Sequence, residues 1–128
     1  MRRISVLMID DEEDILWTVK KSLEVMGNYD VETVQDGKKG FALARKVRPD
    51  LILLDITMPK VDGFEVLRML KKDSVTAKIP VIMFSAREDE EAKIEASQLY
   101  DEDYVVKGLE MLILKQKIEE VLKRRGIL

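Results

Sequence analysis

The stretch Leu51-Ile52-Leu53-Leu54-Asp55-Ile56-Thr57-Met58-Pro59-Lys60-Val61-Asp62-Gly63 decides the fold of this chain. Four consecutive aliphatics, Leu51 to Leu54, fit a strand buried on both faces, as in a parallel sheet covered by helices on either side. The run stops at a carboxylate, Asp55. Pro59 has no N–H for a strand ladder, so the chain has left the sheet by then. Asp62 opens a helix, with Glu65 three residues on in the spacing of a capping box. Asp55 therefore falls where a buried strand emerges into a loop, the edge at which open α/β sheets place their ligands.

Outward from this stretch, strands and helices alternate. Toward the N-terminus, Ile4–Ile9 is an apolar strand followed by Asp10, Asp11, Glu12, Glu13 and Asp14. Ile15, Leu16, Val19, Leu23 and Met26 then recur at helical spacing, and Gly27 ends that helix. Val31–Val34 is a second strand, Asp36-Gly37 a turn, and Gly40, Leu43, Ala44 and Val47 share one face of a second helix that Arg48-Pro49-Asp50 breaks. Toward the C-terminus, the helix from Asp62 sets Phe64, Leu67 and Leu70 against Arg68, Lys71 and Lys72. Ile79–Phe84 is strand four. Ser85 and Glu88 have capping-box spacing ahead of a charged helix over about Glu88–Ser97, expected to be the least firmly packed. Tyr104–Val106 is strand five, and Leu109–Leu122 is a last helix with Leu114, Ile118, Val121 and Leu122 inward. Leu112 and Ile113 are expected to pack against the sheet rather than to form a dimer face. The βαβαβαβαβα order implies a parallel sheet with right-handed crossovers.

Composition narrows the functions open to such a sheet. The 128 residues are read as one domain, 1–128, with no effector domain. Histidine and cysteine are both absent, which excludes Ser-His nucleophile activation and His- or Cys-ligated zinc within the chain. Lack of cysteine makes the cytoplasm the expected compartment. A net charge of −3 gives no nucleic-acid signal, and no apolar run is long enough to span a membrane.

The first polar residues after the strands are Asp10 and Asp11, Asp55, Ser85 and Lys107, and a parallel sheet places all of them at one edge. Singly, each has an ordinary reading: Asp10 and Asp11 as helix-start acids, Ser85 as an N-cap, Lys107 as a solvated lysine. Asp55 precedes no helix start, so capping does not explain it. Three carboxylates in one crevice need a counterion, and oxygen-only ligands favour Mg²⁺ or Mn²⁺. With a hydroxyl and an ammonium beside them, they form a cradle for a tetrahedral dianion, and Asp55 becomes the nucleophile for phosphoryl transfer.

Four segments in this order resemble the receiver domain of two-component response regulators, over nearly the whole length. They are Asp10-Asp11, Asp55-Ile-Thr-Met-Pro-Lys-Val-Asp-Gly-Phe64, Phe84-Ser85-Ala86 and Tyr104-Val-Val-Lys107. The resemblance implies a flavodoxin-like (βα)5 sandwich with sheet order 2-1-3-4-5. It implies that Asp55 accepts a phosphoryl group from a phosphohistidine on a sensor histidine kinase or histidine phosphotransfer protein. Mg²⁺ would be held by Asp11, Asp55 and the Thr57 carbonyl, with Asp10 acting mostly through a water. Lys107 would pair with the carboxylate or phosphate, Ser85 would bond the phosphoryl oxygen, and Tyr104 would be an aromatic switch moving with Ser85. Output would pass to a downstream protein through the face of helix four, strand five and helix five, and the chain would be a monomer and not an enzyme. Thr57 and Arg87 occupy the positions that tune hydrolysis of the phosphorylated state.

Two departures stand out. The resemblance leads one to expect Lys-Pro, often cis, where this chain has Lys107-Gly108, which leaves the direction of Lys107 open. A small Gly-Ala step is replaced by Leu99-Tyr100-Asp101-Glu102-Asp103, which could alter the output face. The first departure motivates an alternative of another class, a pseudo-receiver that binds partners without phosphorylation. A Mg²⁺-dependent phosphohydrolase is a third reading, opposed by Thr57 standing where such enzymes carry an acid or base two residues beyond the nucleophile.

Overall fold

The computed structural model describes residues 2–86, 90–100, 102–108 and 110–128. Among these, Leu51–Leu54 is indeed a fully buried strand, β3. It lies in a five-stranded parallel sheet with β1 (Ile4–Ile9), β2 (Tyr29–Val34), β4 (Val81–Ser85) and β5 (Asp103–Val106). The order is β2-β1-β3-β4-β5, the expected flavodoxin-like arrangement. Helices α1 (Glu13–Met26) and α5 (Met111–Arg124) pack on one face. Helices α2 (Gly37–Val47), α3 (Gly63–Lys72) and α4 (Glu90–Ile94), which runs on into a π-helical turn over Glu95–Leu99, cover the other.

The strands alternate their side chains between the two layers. Val6, Met8, Leu51 and Leu53 face α1 and α5, while Leu7, Ile9, Ile52 and Leu54 face α2 and α3. Neither face of β1 or β3 meets water, so both read as continuous apolar runs. Gly40 lets α2 approach the sheet, since a Cβ there would lie 2.6 Å from Ile9 Cδ1.

Several boundaries differ from the sequence reading. β2 begins at Tyr29, two residues earlier, because Tyr29 and Val31 are buried while Asp30 and Glu32 face out. Asp36 is the N-cap of α2 rather than half of a turn: its carboxylate accepts from Lys39 N at 3.0 Å. Asp62 caps α3 as expected, accepting from Glu65 N at 3.0 Å. β4 starts after Pro80 and reaches Ser85, so Ser85 ends a strand; its expected capping partner Glu88 lies outside the described residues, as do Arg87 and Leu109. α5 starts at Met111. Its inward stripe is Leu114, Ile118, Val121 and Leu122, as the spacing required. Leu112 and Ile113 are not packed on the sheet: they precede that stripe by two residues and one, and remain 55% and 43% exposed.

The acidic step before β5 turns inward at Glu102. Its carboxylate accepts from Val81 N at 2.8 Å and lies 3.3 Å from Arg125 Nη2, with Lys71 Nζ against the other oxygen. Lys71 also donates to the Ala77 and Ile79 carbonyls. One buried carboxylate thus ties together the ends of α3 and α5 and the starts of β4 and β5.

Candidate functional site

The strand ladder itself assembles the site. Ile9 pairs with Leu54 in the parallel register, and the ladder runs one step further, with Asp55 N donating to Ile9 O at 2.9 Å and Asp10 N to Val34 O at 3.1 Å. Asp10 and Asp55 are therefore neighbours on adjacent strand ends. On the other side Ser85 pairs with Val106, and Lys107 N donates to Ser85 O at 2.7 Å. The residues singled out from sequence after β1, β3, β4 and β5 all stand at the carboxyl edge, as parallel strands require.

The loop after Asp55 turns back sharply. Gly63 N donates to Ile56 O at 2.7 Å, and a Cβ at Gly63 would lie 2.1 Å from Asp55 O. No side chain fits there, so glycine at the start of α3 is what allows the helix to abut the strand end. Lys60, in the same loop, has φ 71, a left-handed conformation that favours glycine or asparagine.

Carboxylate oxygens of Asp10, Asp11 and Asp55 come within 4.8 Å of one another. Asp10 and Asp55 are buried and Asp11 is half-buried. Lys107 Nζ is 2.7 Å from Asp10 Oδ2 and 3.5 Å from Asp55 Oδ1. The ammonium thus engages the buried Asp10 Oδ2 directly and lies within ion-pair range of Asp55. Phe84 lies beneath the ammonium, its ring centroid 5.9 Å from Nζ. No cis peptide bond occurs among the described residues, so Lys107–Gly108 is trans, and Lys107 nevertheless points into the crevice.

This crowding perturbs the acids. Burial first, and the Asp10 charge second, push Asp55 up to about 7, with Lys107 opposing them and Asp11 adding to them. Asp10 is raised by burial, against the Lys107 ammonium and the Glu12 N–H that donates to it. Burial alone would lower Lys107, but its ion pair with Asp10 outweighs that and holds it above the usual lysine value. The donor set is hard oxygen throughout, and the three clustered carboxylates outnumber the one ammonium placed between Asp10 and Asp55, which fits a divalent cation of the Mg²⁺ type.

Ser85 is buried at the end of β4. Tyr104 is half-buried and packs against the α3 layer. Thr57 is exposed in the β3–α3 loop. Trp17 stands 64% exposed on α1. It lines a groove of about 260 Å³ with Glu13, Leu16, Lys20 and Gln35. One residue of the site carried no signal in the sequence reading beyond its charge: Glu12, whose Oε1 is 3.2 Å from Lys107 Nζ.

A parallel sheet of order 2-1-3-4-5 whose carboxyl edge carries an acidic crevice and a buried ammonium is the arrangement expected of a two-component receiver. The chain belongs to the response regulator receiver domain family, which it matches over residues 6–119. In sequence it is 40% identical over 119 residues to the DNA-binding dual master transcriptional regulator RpaA of Synechocystis, covering 93% of this chain and 49% of that protein. It is 34% identical over 122 residues to the alkaline phosphatase synthesis transcriptional regulatory protein PhoP of Bacillus subtilis, covering 95% of this chain and 50% of that protein. The chain thus spans about half the length of these curated relatives. In structure it is similar to the chemotaxis protein CheY4 of Vibrio cholerae, with TM-score 0.87 and 30% identity over 94% of this chain and all of that one. It is likewise similar to the receiver domain of the Francisella response regulator 1452, with TM-score 0.85 and 30% identity over 95% of this chain and 98% of that one. Domains of this family are signalling modules rather than enzymes, bind Mg²⁺ at such an acidic cluster, and work with histidine kinases or phosphotransfer proteins. No helix among the described residues is long and apolar enough to cross a membrane.

Proposed function

We propose that this chain is a receiver that takes a phosphoryl group onto Asp55 from a phosphohistidine of a sensor kinase or phosphotransfer protein. The observation that carries the reading is the meeting of Asp10, Asp11 and Asp55 within 4.8 Å of one another, with Lys107 Nζ 3.5 Å from Asp55. Asp10, Asp11, Asp55 and the Thr57 carbonyl would hold Mg²⁺. A divalent cation bound there offsets the carboxylate charge and that of the incoming phosphoryl oxygens.

The chain's own residues do the rest. An Asp55 Oδ attacks phosphorus, and the new O–P bond forms as the P–N bond to the donor imidazole breaks, the nitrogen keeping the electron pair. Lys107 leaves Asp10 for a phosphoryl oxygen and keeps a positive charge beside it. Ser85 offers its hydroxyl to another phosphoryl oxygen. Tyr104, on the strand beside Ser85, follows as Ser85 moves and changes the α4–β5–α5 face, through which a partner protein reads the state.

The test is Mg²⁺-dependent labelling by acetyl phosphate. It should vanish in Asp55→Ala and persist in Asp36→Ala, a helix cap. Labelling undiminished in Asp55→Ala would falsify the assignment. The pseudo-receiver reading drew on Gly108. The position of Lys107 Nζ, 2.7 Å from Asp10 and 3.5 Å from Asp55, supports the phosphoacceptor reading over it. A Mg²⁺ titration that leaves both Trp17 fluorescence and the amide NMR spectrum unchanged would reverse that preference.

A further inference from the structure

Glu12 stands at the N-cap position of α1, yet its side chain makes no cap hydrogen bond. An Asp, Ser or Thr in that position commonly accepts from the first-turn N–H groups. The Glu12 carboxylate goes elsewhere: its Oε1 meets Lys107 Nζ at 3.2 Å. The two residues follow β1 and β5, and β3 and β4 run between those strands. The pair therefore closes a distance of roughly 14 Å across the carboxyl edge, the edge on which Asp55 and Ser85 stand. The Lys107 side chain is 8% exposed and that of Glu12 57%, so Glu12 covers the ammonium from the solvent side. Behind Lys107, Gly108 has φ 99 and open space where a side chain would be. The loop thus has no side chain after Lys107 to help position it.

We propose that Glu12 is an anionic latch on this pocket: it holds the Lys107 ammonium while the pocket is empty and must release it when a phosphoryl-like anion enters. The proposal rests on the phosphoacceptor reading above. Glu12 opposes entry in two ways. Its ion pair with Lys107 has to break, and its charge faces the incoming anion. Neutralising Glu12 removes both effects, and they have the same sign. Because Glu12 is more than half exposed, water screens the interaction. The expected gain is that of a partly solvated ion pair, roughly fivefold in affinity. Glu12 is a positioning residue, acting on the phosphoryl site through Lys107.

The test titrates the full chain with beryllofluoride at saturating Mg²⁺, read by Trp17 fluorescence. Glu12→Gln should bind about fivefold more tightly. Glu12→Asp keeps the charge on an arm one methylene shorter, and should gain only part of that. Glu13→Gln removes a charge one residue further along, with no contact to Lys107, and should bind as the wild type does. Equal or weaker binding by Glu12→Gln overturns the latch, as does an equal gain in Glu13→Gln. A second measurement needs no ligand. The Lys107 ammonium resonances should shift in Glu12→Gln and not in Glu13→Gln; unshifted resonances in Glu12→Gln also overturn the latch. If the wild type takes up no beryllofluoride in Mg²⁺ while Glu12→Gln still shifts the Lys107 resonances, the contact stands, and the phosphoacceptor reading and the release step are overturned.

Discussion

Replacing Asp55 by Asn should make the protein more stable, although it removes the carboxylate proposed to accept the phosphoryl group. In the folded chain the Asp55 carboxyl titrates at about 7, against 3.8 for an ordinary aspartate, because burial and the Asp10 charge disfavour its ionised form. Below about pH 4 the folded and unfolded chains both hold this proton, and the site imposes no penalty. As pH rises from about 4 to about 7 the unfolded chain ionises while the folded chain does not, so stability falls with pH. Above about 7 both ionise and the penalty levels off. At 1.36 kcal/mol per pH unit, the loss reaches about 4 kcal/mol at pH 7.5 and about 2 kcal/mol at pH 5. Asn keeps the shape of the side chain without the charge. Urea unfolding followed by circular dichroism, in a chelating buffer, should therefore give Asp55→Asn an advantage of up to about 4 kcal/mol at pH 7.5, halved at pH 5. Saturating MgCl₂ should narrow the gap, because the wild-type cluster gains a ligand that binds only the folded state. Equal stabilities at pH 7.5, or a gap that does not change with pH, would refute the reasoning.

Four further substitutions probe the scaffold. Gly63→Ala would place a Cβ 2.1 Å from Asp55 O; it should cost about 3 kcal/mol in urea unfolding and impair acetyl phosphate labelling, because the displaced atoms belong to Asp55. Lys60→Gly should stabilise by about 1 kcal/mol, since Lys60 holds φ 71 where glycine carries no Cβ penalty; a thermal melt with no upward shift would show that the strain is offset. Glu102→Ala leaves Lys71 without its buried partner and Val81 N without its acceptor, and should lower unfolding free energy by about 3–5 kcal/mol. By contrast Asp30→Ala, which breaks the exposed pair with Arg3, should change stability by under about 1 kcal/mol.

Much of the architecture was legible because burial imposes a pattern on each element. Leu51–Leu54, a short aliphatic run between Pro49 and Asp55, fits a strand covered on both faces, and the stripe Leu114, Ile118, Val121 and Leu122 marked the inner side of α5. Legibility failed where one residue type serves two purposes. Asp36-Gly37 reads as a turn and as a helix start. Ser85 reads as an N-cap and as the last residue of β4. Leu112 and Ile113 are apolar but lie outside the inward stripe, and hydrophobicity alone does not say on which side of a helix a residue falls.

The sequence by itself determined that Asp10, Asp11, Asp55, Ser85 and Lys107 would stand at one edge. That follows from strict strand–helix alternation, because parallel strands all end on the same side. Only the tertiary structure decided which of them touch. Register placed Asp10 beside Asp55 and Lys107 one step beyond Ser85. Long side chains then reached across strands that the sequence separates widely, Glu12 to Lys107 over the pocket and Glu102 to Lys71 and Arg125 at the opposite, amino edge of the sheet. The physical reason is range: periodicity reports on the layer directly above or below a residue, whereas charge pairing depends on which strands become neighbours and how far a side chain extends past its own element.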